Sequence, residues 1–149
     1  MTFVQSLPVF EFGVAGLSTE YSMLALATVF GLLQLMIAAR VGNGQRGVKW
    51  NVGARDEPSP PIGPVAGRLE RAFRNYMETF PFFAVTVLLL GLAGRHNWAT
   101  VWGTEIYLAA RVIYWPLYGF GVPGLRTLIW LFATLAIILL LVALFVPGL

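Results

Sequence analysis

The fourteen residues Arg68 to Pro81, R-L-E-R-A-F-R-N-Y-M-E-T-F-P, decide how this chain is read. Arg68, Arg71, Asn75 and Glu78 recur at i, i+3, i+7 and i+10, which places all four on one stripe of a helix. The residues that follow, Phe80 to Leu92, are almost wholly apolar. A helix rises about 1.5 Å per residue, so the stripe from Arg68 to Glu78 covers roughly 15 Å. That reaches well into a bilayer whose apolar core is about 30 Å thick. Ionisable groups at such depth are costly, so they face a protein interior or a wet cavity and mark a functional site.

Working outward, the composition agrees with a membrane setting. The chain has 149 residues, 58% hydrophobic and 11% charged, with a mean hydropathy of +0.75. A soluble domain carries about 25% charged residues. One integral membrane domain spanning 1–149 is the expectation. The formal net charge of +3 does not point to nucleic acid, because the basic residues cluster at predicted helix ends, where they set topology and meet lipid head groups. There is no cysteine, hence no disulfide, thiolate metal site or cysteine nucleophile. His96 is the only histidine, which argues against a metal centre. The first charge is Glu11, so no basic leader region is present, and the first apolar helix is expected to be retained.

Four apolar stretches fit an all-α membrane protein, a bundle of four transmembrane helices, at about 19–41, 67–93, 98–118 and 124–146. The longest connection, Gly42 to Ala66, is rich in glycine, proline and charge, and its prolines rule out a continuous helix. Arg40, Arg46, Lys49, Arg55, Arg68, Arg71 and Arg74 lie at or near this first loop and Arg126 near the third, whereas Arg95 alone sits at the second. The positive-inside rule makes the first and third loops cytoplasmic and puts both termini on the far side. In a bacterium this is the inner membrane.

The third helix carries a second stripe. Tyr107, Arg111, Tyr114 and Tyr118 follow i, i+4, i+7 and i+11. The first helix ends with Gln34 and Arg40, and the fourth begins with Arg126. All four helices thus bring polar groups to the cytoplasmic half. Guanidinium forks pair well with carboxylates, and Asn with Glu holds an amide backbone or an ammonium. The set suits a small zwitterionic peptide with two carboxylates and one amine.

The pattern R-x-x-R-x-x-x-N-x-x-E-x-x-P followed by an aromatic run resembles the second-helix signature of the MAPEG family, membrane-associated proteins in eicosanoid and glutathione metabolism. R-x-x-Y-x-x-x-Y at Arg111, Tyr114 and Tyr118 extends the resemblance, and W-N-V-G-A-R-D-E-P at Trp50 to Pro58 looks like the bacterial branch. The resemblance implies a homotrimer with a glutathione site between neighbouring subunits. Carried over, Arg71, Asn75 and Glu78 hold the peptide, and Tyr114 and Tyr118 line the site. Arg126 matches the arginine that stabilises the thiolate, while Arg68 and Arg111 play supporting roles. The spacing from Tyr118 to Arg126 is one residue longer than in the mammalian synthases. Arg40 falls near a glutathione-contacting arginine of the first helix. The implied activity is a glutathione-dependent transferase or peroxidase acting on hydrophobic small molecules dissolved in the lipid.

Other readings of the same residues stay open. Arg68 and Arg74 suit head-group anchors, and Glu70 with Arg74, or Arg74 with Glu78, suits i, i+4 pairing. Arg111 suits a buried structural charge, and Arg126 an anchor for lipid phosphate. His96 reads as a solvated turn residue. Glu105 reads as a partner for a polar group on a neighbouring helix. At the level of function the alternative is a non-catalytic trimeric lipid-binding protein or accessory subunit of a larger membrane complex. A transporter is weaker, since the polar groups occupy one half of the span.

Overall fold

The computed structural model describes residues 13–14 and 16–146. The start of the chain, including Glu11 and the expected absence of a leader, lies outside the described residues. Among these, all regular structure is helical: α1 Thr19–Arg46, α2 Val48–Val52, α3 Pro64–Leu92, α4 Trp98–Phe120 and α5 Leu125–Phe145.

The first loop is shorter than its composition suggests, because α1 continues past the expected end at Val41 to Arg46. Arg46 donates to both carboxylate oxygens of Glu70, at 2.6 and 2.9 Å, and so holds the last turn of α1 against α3. Gly42 makes the approach possible: a Cβ there would lie 2.6 Å from Glu70 Oε1. The helix stops at Gly47, whose φ of 85° is a conformation other residues rarely adopt. α3 begins at Pro64, earlier than Gly67, with proline in the first turn, where its missing N–H is no loss. α4 starts on a capping box: the Asn97 side chain accepts from the backbone of Ala99 and Thr100, and Thr100 Oγ1 accepts from the Asn97 N–H.

α4 packs along α5 and α1 along α3, with α3 also touching α4 and α5. Alanines mark these contacts, among them Ala27, Ala99, Ala110, Ala133, Ala136 and Ala143, all buried. Small residues let helix backbones approach closely where no hydrophobic effect drives association. The outside is the apolar side. Leu32 and Met36 on α1, Phe82 and Leu92 on α3, and Phe132 and Leu135 on α5 are exposed. α1, α3 and α5 are each long and apolar enough to cross a membrane. The molecule is an integral membrane protein. α4 carries Glu105 and the buried Arg111 within its 23 residues and exposes Trp102, Ile106, Val112 and Ile113.

Candidate functional site

The site is built where the α3 and α4 stripes face each other. Arg111 is the largest fully buried side chain, 1% exposed. One arm of its fork donates to Asn75 Oδ1 at 3.0 Å, and the other donates to Thr79 Oγ1. The rings of Tyr107 and Tyr114 lie 5.5 and 5.6 Å from its guanidinium carbon, within the range of cation–π attraction. Among the described residues no carboxylate lies within 4 Å of Arg111. Its charge is met by one amide, one hydroxyl and two aromatic faces.

Asn75 passes the arrangement on. Its Nδ2 donates to Glu78 Oε2 at 3.2 Å. Glu78 and Arg71 are exposed on the outer face of α3, so Asn75 stands between a buried cation and a surface carboxylate. Tyr114 is buried and Tyr118 half-buried, their rings 5.6 Å apart in an edge-on pair. The Arg126 guanidinium lies over the Tyr118 ring at 4.4 Å from its centre. The start of α5 is thereby brought onto the end of α4.

Not every candidate joins this group. Arg68 donates to the Gly119 carbonyl at 3.2 Å, where it meets an unpaired acceptor at the end of α4. Arg40 is exposed on α1, beside Met36, Ile37 and Val41. Gln34 is buried, with its Nε2 unpartnered.

Tertiary contacts bear on three further expectations. Glu70 pairs with Arg46 of α1 and not with Arg74, since a bidentate fork outcompetes an i, i+4 pair worth a few tenths of a kcal/mol. His96 is a solvated turn residue as expected, its side chain 45% exposed, and its Nδ1 also lies 3.3 Å from Glu20 Oε1. Glu105 makes no hydrogen bond or ion pair among the described residues. Two participants went unread in the sequence. Thr79 accepts from Arg111, and its only signal is its place one turn beyond Asn75 on the same stripe. Glu20 is 4% exposed, with no local pattern to announce it.

A family model for the MAPEG family matches residues 23–146, from early α1 to the end of α5. The chain belongs to the MAPEG family. This is a family of membrane proteins that includes glutathione-dependent transferases and peroxidases. No curated protein matches the chain. The match takes in both stripes and Arg126. In this MAPEG chain two internal links, Arg111 to Asn75 and Arg126 to Tyr118, tie α3, α4 and α5 at one end of the molecule.

Proposed function

We propose that this chain is a membrane-bound glutathione-dependent transferase or peroxidase. The observation that carries the reading is the Arg111–Asn75–Glu78 relay beside the Tyr118–Arg126 pair. Glutathione presents two carboxylates, one ammonium and a thiol. In this proposal Glu78 and Asn75 take the amino-acid end, and Arg71, Arg40 and the Tyr114 and Tyr118 hydroxyls take the rest of the peptide. Arg111 and Arg68 support from behind. Arg126 sets a positive charge beside the sulfur and lowers the thiol pKa. Each unit of lowering corresponds to about 1.4 kcal/mol of preferential thiolate stabilisation. The thiolate then attacks a hydrophobic electrophile or peroxide that arrives through the lipid.

Four membrane crossings and a homotrimer belong to the same proposal. Arg71, Glu78 and Arg40 are exposed on the single chain, which suits a site completed by a neighbouring subunit. The Lys and Arg distribution supports cytoplasmic first and third loops, which opens the site toward a thiol-rich compartment.

The test is the ultraviolet difference spectrum of glutathione with detergent-purified protein. A thiolate band at neutral pH is expected, and it should disappear in Arg126→Ala while peptide binding is largely kept. A second reading, a non-catalytic lipid-binding or accessory subunit, is favoured by one feature: Arg126 is already engaged by the Tyr118 ring and lies one residue later than in the mammalian synthases. Absence of both band and binding in a folded oligomer would select that reading.

A further inference from the structure

A second polar group lies at the opposite end of the molecule, where α1 and α4 begin and α3 and α5 end. Glu20, in the first turn of α1, is 4% exposed. Thr100 donates to its Oε1 at 2.6 Å, and His96 Nδ1 stands 3.3 Å away. Among the described residues no lysine or arginine lies within 4 Å of this carboxylate. Arg95, next to His96 in sequence, turns to the carbonyls of Ala143 and Leu144 at the end of α5. The buried carboxylate is thus met by a hydroxyl and an imidazole rather than by the fixed charge of a lysine or arginine.

A cleft of about 570 Å³ opens beside it, lined in part by Leu17, Ser18, Thr19, Glu20, His96 and Trp98. Thr19 is also 4% exposed, and its buried hydroxyl has no hydrogen-bond partner. Buried polar groups are normally paired, so an orphan hydroxyl next to a buried carboxylate that no lysine or arginine meets among the described residues has a definite chemical character. It calls for a cation that donates hydrogen bonds.

We propose that this cleft binds a protonated primary amine. The ammonium brings Glu20 a fixed positive charge, and N–H donors for the carboxylate and the Thr19 hydroxyl. The Trp98 indole adds an electron-rich wall attractive to cations, and Leu17 takes the adjoining methylenes. Anions are disfavoured by Glu20, and a quaternary ammonium has no N–H to offer. The cleft sits at helix ends, at the level of lipid head groups, so an aminophospholipid and a free small amine present the same chemistry. This site is independent of the proposed thiol activity and lies at the other end of the bundle.

The experiment is thermal unfolding of the full-length protein in detergent with added ethanolamine, against equal concentrations of tetramethylammonium and sodium chloride. A saturable rise in Tm with ethanolamine alone is expected, lost in Glu20→Gln and weakened at least several-fold in Thr19→Val. Reconstitution in nanodiscs with phosphatidylethanolamine or phosphatidylglycerol separates the sources: a further rise with the former assigns the lipid head group, and equal Tm values assign the free amine. No saturable shift, an equal shift with tetramethylammonium, or a shift kept in Glu20→Gln overturns the proposal. If Glu20→Gln does not fold, unchanged ethanolamine affinity in Thr19→Val overturns it.

Discussion

Arg111 and Asn75 are joined by a 3.0 Å hydrogen bond that crosses from α4 to α3 and sets which way the Asn75 amide faces. With Oδ1 committed to the guanidinium, Nδ2 is left to the Glu78 carboxylate at 3.2 Å. A buried charge in the bundle thereby orients a carboxylate on its surface. The bond couples stability to recognition, because the groups that satisfy Arg111 are the groups proposed to meet the ligand.

Replacing Asn75 by Ala removes the only amide partner of a cation that is 1% exposed. Hydrogen bonds to charged groups contribute about 1.5–3 kcal/mol. Asn75→Ala should lose stability in that range in reversible unfolding from mixed micelles. Glutathione affinity should fall in parallel, as read by calorimetry. Asn75→Asp should keep more of the stability, since a carboxylate still accepts from Arg111, yet lose affinity, because it repels Glu78.

The Tyr118 ring holds Arg126 by its face, at 4.4 Å. Such contacts are worth about 0.5–1 kcal/mol at exposed sites. Tyr118→Leu should therefore weaken the glutathione thiolate band several-fold without abolishing it, whereas Arg126→Ala should remove it. Tyr118→Phe, which keeps the ring, should keep most of the band, and a loss as large as in Tyr118→Leu would show that the tyrosine acts through its hydroxyl rather than its ring.

Tyr76 is 2% exposed, and its hydroxyl donates to the Ala27 carbonyl at 2.6 Å. Tyr76→Phe should cost about 1 kcal/mol, the usual net worth of one buried hydrogen bond. Tyr76→Ala should cost about 3–5 kcal/mol through the cavity it leaves between α1 and α3. Unfolding curves of the two variants give both values directly.

The Arg46–Glu70 pair is partly exposed, at 15% and 29% for the two side chains, so its worth should be at most about 1 kcal/mol. A double-mutant cycle with Arg46→Ala and Glu70→Ala should return a coupling near that value. The same cycle in a Gly42→Ala background should return less, because the added Cβ would lie 2.6 Å from Glu70 Oε1 and 2.8 Å from an Arg46 guanidinium nitrogen, so both ends must shift. The coupling should also shrink as salt is raised.

The stripe from Arg68 to Glu78 was legible because a 3.6-residue period is written directly into spacing, and α3 carries it as expected. The stripe through Arg111 was legible for the same reason. Ends of elements were less so. Gly42 and Gly44 look like loop residues, yet α1 runs through them, and the Arg46–Glu70 contact offsets part of their weak local propensity. Partners were least legible. Sequence spacing proposes Arg74 for Glu70, but the actual partner comes from another helix. Glu20 and His96 meet although 76 residues separate them, a distance at which no periodic pattern carries information. Thr79 shows the same limit, since a lone hydroxyl in an apolar run reads as filler until Arg111 is placed beside it.

Gly42 and Glu70 also bear on how such chains diverge. The space that a side chain would need at position 42 is filled by the carboxylate of residue 70. A side chain at position 42 therefore requires the ends of Glu70 and Arg46 to move. Across sequences built on this plan, glycine at the first should travel with glutamate at the second. Where the first has acquired a side chain, the second should have a shorter acid or none. A covariation of this kind, between a residue that looks like loop filler and one that looks like an ordinary surface charge, would record the contact between the first two long helices in sequence alone.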